Sequence, residues 1–156
     1  MRIMTLLLMA IAAPLPALAL SCAPPSVDAT YEQAQKSPDA YVVVHGRLVV
    51  GKRKMPRAGL TTQESPEMTR IPATIMGRSL SNTGFRVPFE REITLEVACF
   101  GPWCGSVANG ADVLVFLRRD KDGYALGINP CGGDVFVTPH AAMLKQVQRC
   151  FKRGQC

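Results

Sequence analysis

Six cysteines stand in a chain that opens with the layout of a secretory signal, and that combination restricts its folding more than any other feature of the sequence. The signal has three parts: a basic start at Arg2, an apolar run over 3–12, and small residues ending in Ala17-Leu18-Ala19. Cleavage is expected after Ala19, leaving one domain over 20–156. The apolar run is shorter than the roughly 20 residues a spanning helix needs, and no later stretch approaches that length. A lipid anchor would require cleavage just before Cys22, but Ala19-Leu20-Ser21 departs from the usual approach to such a cysteine. The expected location is therefore the periplasm or the cell exterior.

In an oxidising compartment an even number of cysteines reads first as a set of disulfides. Cys22, Cys99, Cys104, Cys131, Cys150 and Cys156 would then form three bridges, and sequence alone leaves the pairing open. Short loops favour Cys99 with Cys104 and Cys150 with Cys156, which leaves Cys22 for Cys131. That last bridge would close the longest loop and constrain the unfolded chain most.

The element order follows from hydrophobic period and turn chemistry. Ser26 is placed to cap a short helix over 27–36, with Asp28 in its first turn and Ser37-Pro38-Asp39 at its end. The β-branched run over 41–50 reads as a strand bent at Gly46, with Val42, Val44, Leu48 and Val50 on one face and Tyr41, Val43, His45 and Arg47 on the other. Residues 52–69 lack periodicity and read as a long surface loop. A second strand is expected over 70–79, followed by a turn at Ser81-Asn82-Thr83-Gly84. Strict alternation over 90–99 puts Ile93, Leu95, Val97 and Cys99 on one face and Glu90, Glu92, Thr94 and Glu96 on the other. A loop over 100–111 carries Trp103 and Cys104. Strands over 112–119 and 124–129 flank Asp120-Lys121-Asp122-Gly123, a hairpin signal. Thr138-Pro139 reads as a cap and first-turn proline of a last helix that stops at Gly154, with Met143, Leu144, Val147, Cys150 and Phe151 as its apolar stripe. The expected fold is mainly β (α+β): a five-stranded Greek-key barrel of the oligonucleotide/oligosaccharide-binding type, flanked by a short N-terminal and a C-terminal helix and stabilised by disulfides.

Several segments carry a family resemblance. Ser21-Cys22-Ala23-Pro24-Pro25-Ser26, the strand ending Val44-His45-Gly46-Arg47-Leu48, Cys104-Gly105 ahead of Gly110-Ala111-Asp112-Val113-Leu114-Val115-Phe116, and Pro130-Cys131-Gly132 resemble the bacterial relatives of the netrin module and of tissue inhibitors of metalloproteinases. The resemblance implies the same barrel, an early cysteine tied to the late strand region, and a terminal helix packed outside. In the animal inhibitors the mature chain begins with a cysteine that binds the protease zinc. Here Leu20 and Ser21 precede Cys22, a departure from that arrangement, so the resemblance implies the fold and leaves protease inhibition open.

No residues assemble a motif for catalysis. Cys99 and Cys104 are separated by four residues where a redox pair would have two, and no βαβ pattern surrounds them, so a structural disulfide is the better reading. Neither His45 nor His140 has metal-ligand spacing to a cysteine or to the other histidine, and neither neighbours a nucleophile in sequence. Glu90, Glu92 and Glu96 are what any half-exposed strand shows on its wet face. No catalytic residue, metal or cofactor is assigned.

Candidate partner-binding residues fall in two loops: Lys52, Arg53, Lys54 and Arg57 in the first, Phe100 and Trp103 in the second. A further basic set, Lys145, Arg149, Lys152 and Arg153, lies on the last helix. Aromatics make up 6% of the chain and do not interleave with the basic runs, which argues against nucleic acid as the partner. The basic runs read first as solvated faces, and otherwise as contacts to an anionic envelope polymer. The sole tryptophan plugs one end of the barrel or anchors a partner. Two functional readings follow: an exported non-enzymatic binding or structural module contacting an envelope protein or polymer, and a small periplasmic enzyme whose site is assembled from distant residues.

Overall fold

The computed structural model describes residues 20–51, 55–56 and 66–156. The order of elements is α1 (Val27–Lys36), β1 (Ala40–Val50), β2 (Met68–Ser81), β3 (Gly84–Phe100), β4 (Trp103–Cys104), β5 (Ala111–Asp120), β6 (Gly123–Asn129), β7 (Gly132–Gly133), β8 (Val135–Val137) and α2 (Ala141–Arg153). Five of the strands form a closed ring. Antiparallel pairs join β3 to β2, β2 to β1, β1 to β5 and β5 to β6, and a parallel pair between β6 and β3 completes it. The three short strands β4, β7 and β8 hang on β3, β6 and β5, and of these β4 and β7 were not expected from sequence.

Two apolar cores result. Inside the ring lie the inward residues of every ring strand, among them Val44, Leu48, Ile71, Ile75, Leu95, Val97, Val115 and Leu126. Outside it, α1 and α2 cover the other face of β1 and β5, where Val43, Leu114 and Phe116 meet Tyr31 and Val147. This explains the unbroken burial of Val113 to Leu117: Val113, Val115 and Leu117 point into the ring, and Leu114 and Phe116 point to the helices. At roughly 25 cal/mol per Å² of apolar surface, burying such side chains is the main favourable contribution to folding.

The first helix runs over Val27–Lys36, and Ser26 Oγ accepts from the Ala29 amide at its start. At Gly46 the ladder is uninterrupted. The pairing of β1 with both neighbours passes through it without a shift, and its register partner on β2 is Gly77. A Cβ on Gly46 would lie 2.6 Å from the Gly77 Cα, so this pair is required by the close approach of two backbones. The third strand starts at Gly84, upstream of the expected boundary, and the second begins at Met68. The expected helix start at Thr138-Pro139 is corrected. Thr138 adopts a left-handed φ of 51° and donates its amide to the Asp112 carbonyl, and the cap is His140, whose Nδ1 accepts from the Met143 amide at 3.1 Å. The helix ends at Gly154 with φ 72°, as the glycine stop implies.

Three disulfides pair Cys22 with Cys131, Cys99 with Cys104 and Cys150 with Cys156, the pairs that loop length favours. Three disulfides suit an oxidising, extracytoplasmic compartment. Among the described residues no helix is long and apolar enough to cross a membrane.

Candidate functional site

The segment 99–104 is a miniature hairpin. Cys99 faces Cys104 and Phe100 faces Trp103 in antiparallel register, with the disulfide joining the first pair. This corrects the expectation of a plain loop from 100 onward: β4 folds back on the end of β3. Gly105 then donates its amide to the Ala98 carbonyl at 2.9 Å and lies directly on the end of β6. A Cβ there would come within 2.8 Å of the backbone at Ile128 and Asn129, so only glycine lets the hairpin sit this close. Phe100 is 48% exposed and Trp103 is half-buried. Trp103 belongs to neither apolar core.

Beside the hairpin runs a groove of about 280 Å³, between α1 and the outer face of the β3–β6 pair. Phe100 and Met68 stand at its apolar side, and Glu96 and Asp134 supply its carboxyl groups. Glu96 is not a merely solvated glutamate. It accepts from Arg70 Nε and Arg118 Nη2, both at 3.1 Å. Arg118 also lies 4.0 Å from Asp39 and from Asp120. Asp134 sits between β7 and β8, where its amide donates to the Gly127 carbonyl and its carbonyl accepts from Phe116. Burial pushes its carboxyl up to about 6, against the opposing pull of Arg118. Tyr41, half-buried on β1, is raised by burial first and by the Asp134 charge second.

The two histidines have structural partners. His45 Nε2 is 3.2 Å from Asp112 Oδ1, and its ring meets Phe85 edge-on. His140 caps α2. Glu90 and Glu92 lie on the exposed face of β3 and do not line the groove that contains Glu96. Asp28, Cys150 and Cys156 lie close enough together to suggest metal ligands, but both sulfurs are joined in a disulfide and offer no thiolate. For the same reason the 3.8 Å approach of Cys150 Sγ to Asp28 is a contact without a proton to donate. Asp28 accepts instead from Gln146 Nε2, which ties α1 to α2.

Of the expected partner-binding residues, Phe100 and Trp103 are brought together on the hairpin. Lys52, Arg53, Lys54 and Arg57 lie outside the described residues. On α2, Lys145, Arg149, Lys152 and Arg153 are exposed. The sequence reading missed Asp134, because nothing in Gly132-Gly133-Asp134 marks it; its environment is made by three elements distant in the chain.

No protein-family model, curated protein or solved structure matches the chain.

Proposed function

We propose that this chain is an exported, non-enzymatic binding module that presents the clamped 99–104 hairpin and its adjoining groove to a protein of the cell envelope. The observation that carries the reading is the placement of Phe100 and Trp103: two aromatic rings on a disulfide-closed turn, outside both apolar cores. Large aromatic side chains anchor interfaces, and a turn already closed by a crosslink loses little freedom on binding. The closed ring of five strands with helices outside supports a barrel of the oligonucleotide/oligosaccharide-binding type, in the manner of the bacterial netrin-like domains that the sequence resembles. The three disulfides support export through a signal cleaved after Ala19. An anionic envelope polymer fits this face less well than a protein does, because the groove presents carboxylates.

Trp103→Ala tests the reading on one purified protein. The expected result is a melting temperature close to that of the parent together with loss of capture of the partner from envelope extracts. A loss of roughly 3–5 kcal/mol in stability with capture retained would show that Trp103 serves packing and would overturn the proposal.

A further inference from the structure

The groove beside the hairpin carries more information than its exposure. Two guanidinium groups, Arg70 and Arg118, serve a set of carboxylates larger than themselves among the described residues. Glu96 is shared by both, Asp39 and Asp120 lie at the 4.0 Å limit of Arg118, and Asp134 feels Arg118 only at longer range. Of the residues that line the groove, Glu96 and Asp134 are acidic and none is basic; Glu96 is matched by the two guanidiniums, and Asp134 has no ion pair of its own among the described residues. Asp134 is also the carboxylate that faces the groove floor. A Cβ on Gly127 would reach within 3.2 Å of its Oδ2, so the glycine makes room for that oxygen. Two of the exposed large apolar side chains, Met68 at 47% and Phe100 at 48%, stand on the same groove. A metal ion would use the carboxylates and leave that apolar rim without a role.

We propose that this groove is a docking slot for a lysine or arginine side chain displayed by an extended segment of a partner protein, with Met68 and Phe100 holding the apolar residue beside it. The inference rests on the binding-module reading and names the partner's chemistry. The entering cation forms charge-assisted hydrogen bonds with Asp134, which is removed in part from water, while Glu96 stays with its two guanidiniums. From α1 the groove is faced by the uncharged Gln33, so no fixed cation competes from that side. The charged or titratable groups facing Asp134 from the other elements are Arg118 on β5, Glu96 on β3 and Tyr41 on β1. A cation stabilises the ionised form of Asp134, so docking releases a proton and weakens as pH falls through about 6.

The test uses ¹⁵N-labelled exported protein and four capped tripeptides, acetyl-Leu-X-Leu-amide with X as lysine, arginine, norleucine or glutamate, followed by amide chemical shifts. At about pH 7.5 the lysine and arginine peptides are expected to shift the Gly127, Asn129 and Gly133 amides saturably, with the norleucine peptide roughly tenfold weaker. Binding of the cationic peptides should fall several-fold at about pH 5. Asp134→Asn should weaken them roughly tenfold and remove the pH dependence, and Gln33→Glu, a surface change on α1, should tighten them. Equal binding of the norleucine peptide, tighter binding of the glutamate peptide, shifts confined to another face, or no saturable shift at millimolar peptide would each overturn the slot. If Trp103→Ala still abolishes envelope capture in that case, the binding module stands and only the cationic occupant falls. Cationic peptides that fill the groove while capture ignores Trp103 would have the opposite meaning.

Discussion

Asp134 is held partly out of water with no ion pair of its own among the described residues, and its effect on stability has a definite sign. An aspartate ordinarily titrates at 3.8, whereas this one titrates at about 6 in the folded chain. Below the ordinary value both states are protonated and the group costs nothing. As pH rises from about 4 toward 6 the unfolded chain ionises first, so folding loses stability, and above about 6 the full cost remains. That cost is roughly 1–3 kcal/mol, the lower figure allowing for the solvent that still reaches the carboxyl. Asp134→Asn is therefore expected to melt higher than the parent near pH 7.5, with the gain closing toward pH 4. Thermal melts across that range check it, and a gain independent of pH would disprove the assignment. His140 illustrates a second local choice. Thr138-Pro139 has the chemistry of a helix start, yet the Thr138 amide is taken by the Asp112 carbonyl, which keeps residue 138 on the sheet edge and passes the capping role to His140. His140→Ala is expected to cost about 1 kcal/mol, as cap removals do, read from chemical denaturation.

At the scale of elements, strands were legible where alternation was clean, and the start of β3, where it is absent, was lost. Ile93 to Cys99 declared its faces from sequence alone, because inward and outward residues differ sharply in polarity. The same strand's first residues, Gly84 to Phe89, contain Arg86 and Pro88 and show no alternation. They pair with β2 alone, and a proline is tolerated on a strand with one partner. Pro72 on β2 sits in a similar place, one residue past the last pairing with β1. The candidate site divides in the same way. Phe100 and Trp103 stood out as aromatics in a cysteine-bounded segment, whereas the groove exists only because β6 pairs in parallel with β3 and α1 lies alongside, a juxtaposition that no local pattern encodes. The helical layer was legible as an apolar stripe, and its energetic weight falls on Phe116, fully buried between the sheet and the helices. Phe116→Ala is expected to cost roughly 3–5 kcal/mol by denaturant unfolding, whereas Trp103→Ala should change little. Equal losses at the two positions would mean that the hairpin aromatic belongs to a core after all.

For the whole molecule, the three disulfides are unequal constraints. Cys22–Cys131 spans 109 residues and fastens the segment ahead of α1 to the turn after β6, so that both ends of the strand ring are referred to one crosslink. Cys99–Cys104 spans only 5 residues and Cys150–Cys156 only 6, each closing a single turn. Chain entropy credits the long bridge with about 4 to 5 kcal/mol and each short one with roughly 2 kcal/mol, because a longer closed loop removes more freedom from the unfolded chain. The groove adds a functional distinction. The long bridge holds residues 129–134 against the N-terminal segment, and with them the loop that positions Asp134; the 99–104 bridge shapes the exposed turn that carries Phe100 and Trp103. Serine replacement of each pair is therefore expected to separate stability from recognition. The Cys22/Cys131 variant should lose the most stability in thermal melts. The Cys99/Cys104 variant should remain folded near room temperature while losing partner capture, because its aromatic pair is no longer fixed. Mapping of non-reduced peptides from the parent should find these three pairs and no free thiol. A Cys99/Cys104 variant that unfolds more readily than the Cys22/Cys131 variant would show that the short bridge, and not the long one, holds the ring together.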